Sequence, residues 1–327
     1  MEGNEIYSCL IMDVVKELKK VVDKAGKKYL LYNENDVLYL PLHVPVGMSM
    51  LLFMKDFFEK YKSLIEDSSE ILKELNVDID EVIKNVCKFR DAYIKMHESI
   101  LSGDADDAYQ EMTKVLKSGG YFIQTELKCQ NAPNLFYRAR SGINWTQKED
   151  FYHIPFNKTY LCKSYRFSIA GYPSLYIGYS KEVCKKELRD KECSCIELTQ
   201  KEDLHVVDLT WTSIDAKLGL TTFLQAYPLI AACYVVPFFC KHLGRECPDV
   251  IEKQTFKEQY IFPQFVTMYI KKHLGVDGII YYTTRDENLN PSKDNDKNIA
   301  LFPKYADNIL YDQELIDKFK WDNITSL

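Results

Sequence analysis

Tyr165-Arg166-Phe167-Ser168-Ile169-Ala170-Gly171-Tyr172-Pro173-Ser174-Leu175-Tyr176-Ile177-Gly178 runs almost directly into Ser180-Lys181-Glu182-Val183-Cys184-Lys185-Lys186-Glu187-Leu188. The end of the first segment repeats every two residues. Leu175 and Ile177 fall on one face of a strand, and Ser174, Tyr176 and Gly178 on the other. The second segment repeats at helical spacing. Val183 and Leu188 mark its inward stripe, with Cys184 and Glu187 three apart on that stripe and Glu182, Lys185 and Lys186 turned outward. A strand that passes at once into a helix places this part of the chain in a mixed α/β domain.

The same texture extends on both sides. Leu135 to Arg140, Leu204 to Thr210, Gly278 to Thr283 and Asn298 to Pro303 read as further strands, and Phe262 to Leu274 as a second helix. Upstream of Asn131-Ala-Pro-Asn134 the pattern is helical. Ile11 to Val22 and Ile79 to Leu101 carry an apolar stripe at helical spacing, and Met48 to Ile65, a short segment capped by Asp67 or Ser68, and Asp106 to Leu116 also read as helices, with an extended piece around Val37 to Leu42. The expectation is an α+β chain: an all-α bundle over residues 1–130 and a mixed α/β domain over 131–327.

The totals restrict the function. The chain has 327 residues, 46% of them hydrophobic and 28% charged, enough for a buried core. A net charge of -6 argues against nucleic acid as the partner, because phosphate backbones need clustered cations. Tyr227 to Cys240 is the longest apolar stretch; it is shorter than a membrane span, and Pro228 and Pro237 interrupt it. The start of the chain does not read as a secretory signal, so the ten cysteines are expected to be free thiols in a reducing cytoplasm.

Several side chains could carry chemistry. Glu187, inward on its helix, needs partners, because an unpaired buried carboxylate costs several kcal/mol. Arg138, in Phe136-Tyr137-Arg138-Ala139-Arg140 on a strand expected to be central, and Arg166, in or beside a strand, have the fork geometry that grips pyrophosphate. Tyr176 shares its face with a small residue and a glycine, a surface on which a flat ligand can stack. Thr283 ends a strand with a hydroxyl. Taken singly, each has a plainer explanation: a buried ion pair, an edge charge, a packed core ring, a good strand residue. Taken together, they suit a nucleotide whose glycosidic bond is broken, with a carboxylate facing the oxocarbenium-like charge.

At these residues the chain resembles the RES domain family over about Asn131 to Pro303, through Arg138, Arg166-Phe167, Gly171-Tyr172-Pro173, Leu175-Tyr176 and Glu187 in order. Phe151 to Phe156, Tyr227 to Cys233 and Tyr260 to Gln264 resemble its longer members, which carry a helical extension in front. The resemblance implies a fold similar to bacterial ADP-ribosyltransferases and NAD⁺ as substrate, often in a toxin or phage-defence effector that depletes NAD⁺. It implies that Arg138 and Arg166 bind phosphates or ribose, Tyr176 lines the nicotinamide pocket and Glu187 stabilises the cation. Thr283 stands where the family has serine, with Thr284 as the alternative register, and Asn298 joins the cofactor-binding set.

The acceptor stays open between water, which makes a NAD⁺ glycohydrolase, and a macromolecule, which makes an ADP-ribosyltransferase. A non-enzymatic nucleotide sensor is the third reading. The N-terminal helices read as a packed bundle; an antitoxin, a trigger protein or a second copy of the chain would be their partner. Metal chemistry is not expected: Cys193 and Cys195, and Cys240, His242 and Cys247, lack paired C-x₂-C spacing. His153 is expected to pack or cap. Neither G-x-S-x-G nor a strand-borne G-x-G-x-x-G occurs, which argues against a serine hydrolase and against Rossmann-type hydride transfer.

Overall fold

The computed structural model describes residues 40, 42–44, 48–119, 121–129, 134–189, 192–210, 219–237, 257–284 and 294–327. The helix expected over Ile11 to Val22 and the turn at Asn131 lie outside these residues, as do Cys240, His242 and Cys247.

Helices begin where a short polar side chain can take an orphan backbone N–H. Ser49, Asp78, Asp104, Ser180 and Asp312 each accept from an N–H three residues on. In chain order the elements are β1 (Leu42–Val44), α1 (Met50–Asp67), α2 (Ser69–Glu74), α3 (Ile79–Leu101), α4 (Ala105–Ser118), β2 (Ile123–Leu127), β3 (Leu135–Ser141), β4 (Leu175–Gly178), α5 (Lys181–Glu187), β5 (Cys193–Gln200), β6 (Leu204–Asp208), α6 (Leu220–Cys233), β7 (Val235–Pro237), α7 (Ile261–His273), β8 (Gly278–Tyr282), β9 (Lys297–Leu301), α8 (Gln313–Asp317) and β10 (Phe319–Ser326). The fold is α+β, with helices ahead of a mixed sheet. Asn76, at φ 58, turns the chain between α2 and α3.

The chain divides into two compact units, Met1–Tyr121 with Ser213–Phe265 and Phe122–Thr212 with Val266–Leu327. This differs from a single boundary at Asn131 in two respects. β2, ahead of Asn131, pairs with β6 in the sheet. α6, far behind it, belongs with the N-terminal helices. The second has a clear cause: Phe223, Leu224 and Ala226 to Cys233 are all buried, and a helix apolar on every side needs helices around it. Within the first unit Tyr61 stacks on Tyr227 and donates to the Leu224 carbonyl at 2.8 Å, while Phe58, Phe89, Tyr93 and Phe262 interlock their rings.

The second unit is built on an eight-stranded sheet, order β10-β5-β3-β4-β9-β8-β6-β2, antiparallel except for β6 against β8. Phe136, Leu175, Ile177, Ile196, Ile299 and Leu301 belong to its apolar core. The ladder is uneven. β3 pairs with β5 at seven positions but with β4 at one, Tyr137 opposite Gly178. The sheet is thus two ladders joined at one residue pair.

Candidate functional site

Gly178 allows α5 to settle on the sheet. A Cβ there would lie 2.6 Å from Val183 Cγ1 and 2.8 Å from Cys184 Sγ. Ser180 caps α5 and also donates to the Asn295 carbonyl at 2.8 Å, and Lys186 pairs with Asp296 at 3.5 Å. The helix is therefore fastened at both ends to the segment leading into β9. Its last residue is Glu187.

Glu187 Oε1 accepts from the Thr283 hydroxyl at 2.7 Å and from Asn298 Nδ2 at 3.1 Å. Both donors are buried, Thr283 completely. They come from neighbouring strands: Asn298 is in β9 opposite Gly178, and Thr283 follows β8 and donates its own N–H to the Asp296 carbonyl. A carboxylate at a helix C-terminus sits at the unfavourable end of the helix dipole. Two donors aimed at one of its oxygens offset this and fix its orientation.

Arg138 leaves β3 where the two ladders part. Its Nη1 donates to the Tyr176 main-chain carbonyl at 2.7 Å, a link across strands that no longer pair, and Nη2 lies 3.5 Å from the Tyr152 carbonyl. Burial, with repulsion from Arg140 added, pushes the Arg138 guanidinium down to about 9. Arg138 and Arg140 stand on the face of β3 that carries Phe136. Tyr137, with Lys181 over its ring at 5.6 Å, stands on the α5 face. The buried Cys184 thiol is pushed up by burial first, then by Cys195 and Glu187, and is drawn down by Arg138; the acid and the guanidinium both act on this atom.

Tyr176 Oη is 2.6 Å from Ser168 Oγ, and its ring meets Tyr165 edge-on at 5.5 Å. Arg166 differs from expectation. It lies not in or beside a regular strand but in a tight turn closed by an isolated Tyr165–Ser168 bridge. Its Nη2 reaches Thr284 Oγ1 at 3.5 Å. The two threonines thus have separate partners, Thr283 the acid and Thr284 the arginine. The structure joins Glu187, Thr283 and Asn298 directly, Arg138 to the backbone of Tyr176, the Tyr176 hydroxyl to Ser168, and Arg166 to Thr284.

Sequence reasoning missed Arg140, whose Nη2 donates to the Tyr152 carbonyl at 3.1 Å, beside Arg138. Its spacing of two from Arg138 on a strand was the available signal. His153 is buried; Nδ1 lies 2.8 Å from the Ile154 carbonyl, and Nε2 accepts from the Asp312 N–H at 2.9 Å. This fixes a neutral ring, and burial lowers its pKa. Among the described residues no group of three or more His, Cys, Asp or Glu is placed to hold a metal ion, and no helix is long and apolar enough to cross a membrane.

No family model matches the chain, and no solved structure matches it. A curated protein of Bacillus subtilis (strain 168), described as "Putative toxin YopC", is 25% identical over 283 residues, which is 82% of this chain. The chain spans 62% of that protein's length. The chain is therefore similar to a protein described as a toxin, and the similarity extends over most of its length.

Proposed function

We propose that the second unit cleaves the nicotinamide–ribose bond of NAD⁺, with water as acceptor, and that the chain acts as a toxin by depleting NAD⁺. The observation that carries the reading is the Glu187 carboxylate, held by Thr283 and Asn298 from two adjacent strands. An acid oriented in this way can face a developing ribosyl cation without reorganising. The resemblance to the RES family, the Tyr176 ring, and Arg138 and Arg166 as cations for the phosphates support the same reading, and the similarity to a protein described as a toxin supports the growth-arresting role. In the reaction the C1′–N1 bond breaks, its electron pair leaves with neutral nicotinamide, and Glu187 stabilises the cation. Water then adds to C1′ and loses a proton, giving ADP-ribose.

The test is NAD⁺ content after induced expression of wild type, Glu187→Ala and Arg138→Ala, with labelled NAD⁺ followed in the purified protein. Wild type is expected to deplete NAD⁺ and release free ADP-ribose; Glu187→Ala is expected to do neither. Label fixed to protein or RNA would replace hydrolysis by transfer. NAD⁺ left intact by purified wild-type protein over hours would overturn the reading.

A further inference from the structure

Arg138 and Arg140 repel one another, yet among the described residues neither forms an ion pair. Their partners are main-chain carbonyls, Tyr176 and Tyr152. Asp150 attracts Arg140, but its Oδ2 is engaged by the Gln147 N–H at 3.2 Å in the cap of a 3-10 turn. Two partly buried guanidinium groups without a counter-ion are costly to keep. Among the described residues the enclosed Nε atoms of both have no hydrogen-bond partner. Buried donors of this kind are seldom left unmade. These atoms also form a pattern: with Arg138 Nη1 committed to Tyr176, its Nε–Nη2 edge, the edge that grips an oxyanion side-on, holds among the described residues only the long contact to Tyr152. Exposed rings border the pair: Trp145 faces the Arg140 guanidinium at 5.7 Å, and Tyr165 lies within electrostatic reach of both arginines.

We propose that Arg140 is a substrate-binding residue that, with Arg138, holds a phosphate-bearing anion, so that the protein discriminates phosphorylated ligands from their unphosphorylated nucleosides. Naming that anion as the pyrophosphate of a dinucleotide rests on the function proposed above; the anion site itself does not. Arg138 then has two separate tasks, with Nη1 closing the gap between the ladders and its free edge meeting the anion. Arg140 supplies the second charge.

The experiment titrates inorganic pyrophosphate, ADP and adenosine into the full chain by calorimetry, for wild type, Arg140→Gln and Arg140→Lys, with thermal melts of each. Wild type is expected to bind pyrophosphate and ADP and to bind adenosine far more weakly. Arg140→Gln should lose about tenfold or more in pyrophosphate affinity while still melting cooperatively as a folded protein, the worth of one charge-assisted contact. Arg140→Lys, which keeps the charge without the fork, should fall between. Pyrophosphate affinity equal in wild type and a folded Arg140→Gln, or no pyrophosphate binding to wild type, overturns the assignment. If Arg140→Gln does not fold, Arg140→Lys binding as tightly as wild type overturns it. The two proposals fail separately. Arg140-dependent pyrophosphate binding by a wild type that leaves NAD⁺ intact sinks the reaction and keeps the anion site. NAD⁺ cleavage with unchanged KM in Arg140→Gln keeps the reaction and sinks the anion site.

Discussion

Replacing Thr283 by valine exchanges a hydroxyl for a methyl at almost constant volume in a fully buried position. The Glu187 oxygen then keeps Asn298 at 3.1 Å and loses its shorter bond, 2.7 Å. A hydrogen bond to a charged group contributes about 1.5–3 kcal/mol. In a folded unit of this size each kcal/mol lowers Tm by roughly 2–4 °C, so Thr283→Val should melt roughly 3–12 °C below wild type. Thr283→Ser keeps the bond and loses one buried methyl, which costs about 1 kcal/mol. The two variants are expected to separate more widely in activity. With its acid free to swing, Thr283→Val should lose NAD⁺ turnover about tenfold or more, because misorienting a group in a preorganised site removes much of its effect. Thr283→Ser should stay near wild type. The assays are differential scanning calorimetry and release of free ADP-ribose. A double-mutant cycle with Glu187→Gln should give a coupling of about 1 kcal/mol or more. If valine and serine variants melt together and turn over NAD⁺ alike, Thr283 does not orient Glu187 and the geometric argument is wrong.

Three further outcomes follow from the geometry. Glu187→Gln retains a carbonyl acceptor for Thr283 and Asn298, so it should fold with a melt close to wild type while NAD⁺ cleavage drops about a hundredfold or more; unaltered turnover would remove Glu187 from the chemistry. Gly178→Ala sets a Cβ against Val183 and Cys184 and should cost about 1–3 kcal/mol in urea unfolding, while Gly171→Ala, where an added Cβ would meet none of the described residues beyond its chain neighbours within 4 Å but φ is +77°, probes backbone strain alone; a silent Gly178→Ala would show that α5 has room to move. In the first unit His97 is buried, its Nε2 has no partner among the described residues, and burial lowers its pKa from 6.5 to about 4. The unfolded chain therefore takes up the proton first, so stability is fully present above pH 6.5 and falls by about 3 kcal/mol as the pH drops toward 4; His97→Phe, which keeps a ring against Tyr93, should flatten that part of the stability–pH curve, and an unchanged slope would assign it to other groups.

Elements with a strong period were legible in the sequence. Ile79 to Leu101 is a helix from end to end, and Leu175, Ile177 and Val183 are buried as alternation and helical spacing require. β5 was not legible: Cys193-Ser194-Cys195 opens it without the β-branched or aromatic residues that mark a strand, and burial of both its faces leaves no alternation to detect. The C-terminal β10 is half exposed and follows the short helix α8. The place of α6 was illegible for another reason. A helix with no polar face has no phase that tells which partner it packs against, and the sequence assigns it to its chain neighbours by default. The site divides along the same line. Glu187 was readable because an inward acid on an otherwise apolar stripe demands donors. The donors, Thr283 and Asn298, lie 96 and 111 residues away, and only strand order brings them together. Arg166 was misread because an aromatic-flanked arginine looks the same in a strand as in the tight turn it occupies.

The single-pair junction between β3 and β4 gives these separate features one cause. A continuous ladder would have satisfied the Tyr176 carbonyl with a backbone N–H and left Arg138 no structural task. Because the strands part after Tyr137 and Gly178, a guanidinium takes over that carbonyl, and a cation is held at the edge of the gap by the fold itself. The same two strands carry Arg140 and the Tyr176 ring, and β9, alongside β4, carries Asn298 to Glu187. Among the described residues Arg138 and Arg140, at this edge, keep Nε atoms without a hydrogen-bond partner, a distribution that is expensive for stability and that the anion site proposed above would use.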